Sequence, residues 1–482
     1  MWLEWSADAF ACADAAHKPV LLSLVTAWSD ECAEMDVTTY SHPEVESLVR
    51  DRFVAVRVDA DRRPDLNERY NLGGWPTTAF LTDKGETLSG ATYLDPPQMI
   101  AALQQVADAY RDRTEEISAR SARLRADRRA RRPPHHAAGD PHSAIGHFRA
   151  LLVERFDSRN GGFGATPKLP HPHALSFALS LGSEHDSELA RMAAVTLQRL
   201  RALWDVGSGG FFRYADAIDW SRPGTGKTLE DNALLLHVYV DAALRLREVE
   251  WLDQAAAIVR WVKEAMADAN HGGFFNAQSS RNVDRSMYVD KNAMMVGAFI
   301  RAAALFDDVW LRDFALKSLE AVIVPAYTPG RGMAHLIGET GHREVRGLLT
   351  DQIHVAAALI WAHAATGQLP YSMLAAEVAQ FAIRSMWDDG ARSFRDRVTE
   401  DDSIVPFALN CEAACVLDRL SVLTGDVAYQ ERGRAILHSL ASEYREQDIF
   451  GGPYVLAVRE IFERQPPPGL ELSPVDWQLG RT

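Results

Sequence analysis

The chain has 482 residues, 47% of them hydrophobic and 24% charged, with a net charge of −15. That acidity argues against nucleic acid or an anionic membrane as the main partner, because the mean field repels both. Four cysteines are too few for a disulfide scaffold, no run of about 18 apolar residues marks a membrane span, and the acidic start MWLEWSADAF lacks the basic residues of a signal peptide, so a cytoplasmic protein is expected.

In chain order, the apolar run from Pro19 to Thr26 reads as a buried strand, followed by Ser29 as the cap of a helix opening at Asp30. Phe53 to Asp59 and Thr77 to Leu81 read as two more strands, and the Lys84-Gly85 turn leads to a fourth near Thr87. Helical stretches lie between and after them, which makes residues 1–112 an α/β unit. Trp75-Pro76, a tight turn before a strand, is expected to be cis. Residues 113–142 form a linker: Arg111 to Arg132 holds nine arginines against four acids, and Pro133-Pro134 then stops the helix. His135, His136 and His142 lack companions at ligand spacing, so no metal site is expected there.

From residue 143 to 482 the sequence repeats. Glycines at Gly161, Gly209, Gly272, Gly332, Gly390 and Gly451 return at steps of about sixty residues, the mark of stacked units that bury their faces only against neighbours. His173, Asn232, Asn292, Gln352 and Asn410 recur near the starts of the helical runs that follow. Amphipathic helices such as Ser187 to Trp204 alternate with helices apolar or small on all sides, such as Asn292 to Ile300. Partly exposed helices outside and buried ones inside give a closed ring, an (α/α)6 barrel. Gly224-Thr-Gly-Lys-Thr228 imitates the end of a phosphate-binding loop, but Ser221 stands where that loop needs glycine and no buried strand precedes it, so no nucleotide site is expected.

Trp5, Ala9-Phe10, Lys18 to Ser23, Val58-Asp59, Arg63-Pro64-Asp65, Tyr70, Gly73 to Pro76 and Phe80-Leu81 together resemble the spermatogenesis-associated thioredoxin-like family, whose members couple a thioredoxin-like head to a helical barrel. Gly161 to Pro170 and Gly209 to Tyr214, with Trp220, Pro223, Lys227, Leu229 and Asp231-Asn232-Ala233, resemble that family's barrel, itself similar to six-hairpin glycosidases and N-acylglucosamine 2-epimerases. The resemblance implies a thioredoxin-like domain followed by an (α/α)6 barrel. Two departures matter. Where the family carries Cys-His-Trp-Cys this chain reads Ser29-Asp30-Glu31-Cys32, and serine at the attacking position forms no mixed disulfide, so Cys32 is expected to be redox-inactive. Where the family has His-Phe-Glu-Lys-Met, this chain has Gly224 to Thr228, which keeps the lysine and loses the acid.

Polar residues gather at the N-terminal ends of the inner helices. Asp231, Asp290, Asp351, His354 and Glu412 are the candidate acids and bases, since a glycosidase needs two carboxyl groups and an epimerase a base and an acid. Lys168, Arg213, Tyr214, Trp220, Lys227 and Asn232 are the candidate substrate contacts. The same residue types also serve as helix caps and dipole partners, a reading that stands beside the first. Cys411 and Cys415, one helical turn apart, read as core. The expected ligand is a sugar-like small molecule with no cofactor and no metal. Nucleic acid and membrane are not expected as partners, and the head offers a surface for a protein. A binding or regulatory protein without catalysis, or residual thiol chemistry through Cys32 alone, is the alternative.

Overall fold

The computed structural model describes residues 2–113, 115–117, 119–120, 122–123, 140–182, 187–338, 343–399 and 403–475. Most of the arginine-rich linker, with His135 and His136, lies outside the described residues. The chain divides into two compact units, Met1–Pro134 with Ser279–Asn282, and His135–Gln278 with Val283–Thr482.

The first unit is built on a four-stranded sheet, β1 (Val20–Val25), β2 (Val54–Asp59), β3 (Thr77–Leu81) and β4 (Thr87–Ala91), in the order β2-β1-β3-β4. β1 runs parallel to β2 and antiparallel to β3, and β3 pairs with β4 in turn. Side chains alternate across a strand. Val20, Leu22 and Leu24 therefore face one core with helices Ala7–Ala16 and Pro64–Tyr70, while Leu21 faces another with helices Pro43–Arg52 and Pro96–Asp112. Both faces are covered, which explains the unbroken apolar run in β1. The Trp75-Pro76 peptide bond is cis, as the turn before β3 suggested.

The second unit is the thioredoxin-like head's helical companion. Among the described residues, outer helices Ser143–Arg155, Ser187–Leu200, Val249–Trp261, Val309–Ala326, Leu369–Met386 and Val427–Leu440 alternate with inner helices Pro172–Gly182, Leu229–Leu246, Val289–Phe306, Leu349–Thr366, Phe407–Thr424 and Gly452–Phe462. Each inner helix packs on the next, and the sixth returns to the first, so the ring closes as the repeat pattern implied. The fold is a thioredoxin-like α/β unit followed by a helix-rich unit of the (α/α)6 kind. No helix among the described residues is long and apolar enough to cross a membrane.

The periodic amide near the start of the inner helices has a structural purpose. Asn232 Oδ1 accepts from the Phe211 amide at 2.8 Å, and its Nδ2 donates to the carbonyls of Phe211 (3.1 Å) and Thr228 (2.9 Å). Asn292 repeats this on Phe274 and Tyr288, and Asn410 on Phe394 and Pro406. Gln352 accepts from the Met333 amide and donates to the Leu348 carbonyl. In each case a buried side-chain amide fastens the glycine loop to the helix that follows it. The loop needs glycine to come this close: Gly210 has φ +82°, and a Cβ there would lie 2.6 Å from Trp261. His173, grouped with these residues by spacing, makes no such clamp and instead lines the interior of the ring.

Asn232→Ala strands a buried N–H and two carbonyls, so it should lower the stability of the barrel by about 2–4 kcal/mol. The check is the urea midpoint of the barrel transition, and Asn410→Ala should behave alike.

Candidate functional site in the barrel

A cavity of about 260 Å³ lies inside the ring and is walled by all six inner helices. That volume is near the lower end of ligand-sized sites, which begin at roughly 300 Å³. The space exists because small residues face the axis, among them Ala293, Gly297, Ala357, Ala358 and Ala457. The wall runs from His173, near the start of the first inner helix, to Ser180, near its end.

Three imidazoles come from three different inner helices: His173, His237 and His354. Their surroundings assign each a state. Arg301 Nη1 lies 2.9 Å from His237 Nδ1, and a guanidinium only donates, so Nδ1 is the acceptor and the neutral ring carries its proton on Nε2. His354 is the complement. Its Nδ1 lies 3.1 Å from Glu412 Oε2, which favours the proton on Nδ1 and leaves the Nε2 lone pair available. Burial lowers the pKa of His173, and burial together with the Arg301 charge lowers that of His237. Both rings are therefore neutral near pH 7.

The carboxylates of the wall are already engaged. Asp241 accepts from Arg301 Nη2 at 2.5 Å and from Ser176 at 3.2 Å. Glu460 takes Arg419 through both oxygens at 2.7 and 2.8 Å, and Arg301 lies over the ring of Trp361 at 5.5 Å. Cys411 and Cys415 belong to the same wall, with their thiols pushed well up by burial.

Of the candidate catalytic and substrate-contact residues, His354 and Glu412 line this cavity, and the others are placed elsewhere. Asn232 is a buried clamp, and its amide is spent on backbone. Lys168 is fully buried with Nζ 3.0 Å from Asp157 Oδ2 and above the ring of Trp220. Although burial raises Asp157, bonds from Asn160 and Lys168 hold it down at about 2. Trp220 is itself buried and donates to the Asn160 carbonyl at 3.0 Å. Lys227 is tied to Asp205, Ser208 and the Gly209 carbonyl, each within 2.8 Å. These lysines and Trp220 hold glycine loops in the structure. Asp231 accepts from Arg213 at 2.8 Å and from Thr228, whose hydroxyl caps the helix, so both Asp231 and Arg213 serve the helix start. Tyr214 packs on Gly224. Asp290 and Asp351 meet His335, away from the cavity wall. His237, Asp241 and Arg301 were missed because they lie in mid-helix, where spacing from a loop carries no signal. Their only trace is a polar residue interrupting an otherwise apolar helix.

In the head, Ser29 Oγ accepts from the Cys32 amide at 3.1 Å and caps its helix, while burial raises the Cys32 thiol. Cys12 is exposed, and both thiols are free.

Two outcomes follow from these states. Iodoacetamide at pH 8 should label Cys12 at least ten times faster than Cys32 in the native chain, read by peptide mass spectrometry. The depressed histidines bind protons more readily when unfolded, so their stabilisation is present above the ordinary pKa of about 6.5 and is lost as pH falls through the lowered values. The barrel's melting temperature should drop on acidification below pH 6.5, with a shallower slope in His237→Gln.

Comparison with known proteins agrees with this architecture. Residues 1–127 match the family Thioredox_DsbH, described as a protein of unknown function, DUF255. The chain is 28% identical over 305 residues to the uncharacterized protein B0495.5 of Caenorhabditis elegans, and 28% identical over 306 residues to spermatogenesis-associated protein 20 of Rattus norvegicus. Each match takes in 58% of this chain, more than the head alone, but only 41% and 38% of the relative. The chain thus spans about two fifths of the length of these curated relatives. Among solved structures, cellobiose 2-epimerase from Bacillus thermoamylovorans superposes with a TM-score of 0.55 at 11% identity, over 63% of this chain and 87% of that one. The GH76 α-mannanase BT2949 of Bacteroides thetaiotaomicron does so with 0.55 at 8% identity, over 68% and 97%. At such identities the likeness is one of fold. Residues 1–127 match the Thioredox_DsbH family model, and the helical unit that follows has the fold of (α/α)6 epimerases and glycosidases, in a chain similar to spermatogenesis-associated protein 20.

Proposed function

We propose that the barrel takes a small sugar-like carbonyl compound into its central cavity and moves a proton on the carbon beside the carbonyl, as in epimerisation or isomerisation. The observation that carries this reading is the complementary state of two cavity imidazoles: His354, held by Glu412, with a free Nε2 lone pair, and His237, held by Arg301, with a proton on Nε2. One ring removes a proton and the other returns one, the base and acid that such a reaction requires. Trp361 and the small aliphatic residues offer an apolar face for a sugar ring, and Arg301 and Ser176 offer polar contacts.

Hydrolysis has less support. It needs one carboxylic acid in its protonated form beside a second carboxylate. Among the described residues of the wall, Asp241 and Glu460 face arginines and Glu412 faces His354. The fold itself serves both an epimerase and a mannanase among its neighbours, so the side chains must decide. In the same reading, the head acts as a structural or docking element and not as an oxidoreductase, because Ser29 caps the helix where dithiol exchange needs a thiolate. A cytoplasmic location accords with free cysteines.

The test is incubation of the full chain with a panel of reducing mono- and disaccharides in D2O, followed by proton NMR. Deuterium should enter beside the carbonyl. His354→Gln and His237→Gln should each lower the rate at least a hundredfold, within the range of roughly 10² to 10⁴ for general acid–base groups, with the melting temperature held. Saturable binding without exchange would instead mark a binding barrel, and new reducing ends without deuterium would mark a hydrolase.

A further inference from the structure

Away from the cavity, three side chains converge at the starts of two inner helices. Asp290 is the second residue of the helix Val289–Phe306, and Asp351 the third of Leu349–Thr366. His335 stands on the strand Gly332–Ile337, which pairs with Met287–Tyr288 directly before the first of these helices. All three are buried: His335 and Asp351 at 0% exposure and Asp290 at 6%. One donor atom from each lies within 4.8 Å of the other two. His335 Nδ1 is 2.9 Å from Asp351 Oδ1 and 3.9 Å from Asp290 Oδ1.

A second observation distinguishes this cluster from a buried hydrogen-bonded pair. Asp351 Oδ2 is inaccessible and has no hydrogen-bond partner. Buried polar atoms left unmet are rare in native interiors, and an unmodified network should have supplied a donor. Two carboxylates flank the one imidazole, and the Lys291 ammonium also bears on Asp290. Asp290 is meanwhile held firmly in place. Its Oδ2 accepts from Thr350 at 2.9 Å and its Oδ1 from the Lys291 amide at 2.8 Å. The neighbouring ammonium of Lys291 donates to Asn276 Oδ1 at 3.0 Å. The Tyr288 ring sits 5.1 Å from the His335 ring and limits its orientation.

We propose that Asp290, His335 and Asp351 bind one divalent first-row transition-metal ion, zinc in class, which fastens the strand Gly332–Ile337 to the starts of the third and fourth inner helices. Two carboxylates neutralise a dication, and imidazole with carboxylate is a donor set that zinc accepts. Zinc takes nitrogen and oxygen donors at about 2.0–2.2 Å, which puts tetrahedral donors roughly 3.3–3.5 Å apart. The two measured separations, 2.9 and 3.9 Å, straddle that value. Ion entry replaces the His335–Asp351 hydrogen bond, gives Asp351 Oδ2 a charged neighbour, and leaves a fourth position for water. None of the three residues lines the cavity, though the His354 ring, on the same helix as Asp351, lies within electrostatic reach of Asp290 and Asp351.

The test uses the full chain, stripped with EDTA and dialysed, then titrated with Zn²⁺ by calorimetry with bound metal counted by mass spectrometry. One tight equivalent per chain is expected, together with a higher barrel melting temperature. Co²⁺ in its place should give the visible absorption of a tetrahedral site. Asp351→Asn keeps the side-chain volume and removes a buried charge, so it should fold. It should weaken the tight equivalent at least tenfold and abolish the thermal gain. His335→Gln, a second route to the same loss, guards against a folding artefact in either variant. Absence of a tight equivalent in the wild-type chain would overturn the proposal. So would equal binding and equal thermal gain in both variants, which would place the ion on other histidines.

Discussion

The barrel depends on one interaction repeated around the ring: a buried carboxamide that binds the backbone of a glycine loop. Asn232, Asn292, Gln352 and Asn410 each satisfy peptide groups that would otherwise be buried without partners, at the point where the chain turns from an outer to an inner helix. Each clamp fixes the loop, and the loop fixes where the next inner helix begins. The Lys227–Asp205 pair braces the loop held by Asn232, and Lys168–Asp157 braces the first glycine loop, where no amide clamp stands among the described residues. Removing either partner of such a pair leaves a buried charge alone, which explains why residues that look suited to ligands are committed to structure.

With the loops held, the inner faces of the ring are free to be lined for another purpose. Small residues hollow the axis, and long polar ones reach into it from mid-helix positions. Each polar group there is poised by a neighbour: Arg301 sets the tautomer of His237, Glu412 sets that of His354, and Arg419 occupies Glu460. In a poorly solvated interior these pairings decide which group gives a proton and which takes one. The proposed proton transfer rests on that division of states, and the fold by itself is neutral on the matter, since it supports several chemistries.

The head shows the reverse case, a thioredoxin-like scaffold with a serine at its helix start. The sheet order, the cis Trp75-Pro76 turn and the helix opening at Asp30 are all present, yet the position that would carry a thiolate holds a serine hydroxyl bonded to the Cys32 amide. An N-cap is a suitable use for that hydroxyl, because the helix start needs an acceptor whether or not a nucleophile stands there.

The sequence alone determined the order of elements, the glycine period and the closure into paired rings of helices. These follow from local periodicity, and no distant contact is needed to read them. Even the recurring amide at Asn232, Asn292 and Asn410 was legible as a pattern, though not as a clamp. Only the tertiary structure decided which polar residues meet. Asp290 and Asp351 carry the same residue type at nearly the same helix position as Asp231, yet the first two face His335 on a strand and the third faces Arg213. Likewise His354 joins Glu412 across 58 residues of chain, while Arg301 reaches Asp241 at a separation of 60 and His237 at 64. The physical reason is that a side chain's protonation and purpose are set by its neighbours in space. In a closed ring of helices those neighbours come from successive repeats, about sixty residues apart, where no local pattern records the pairing.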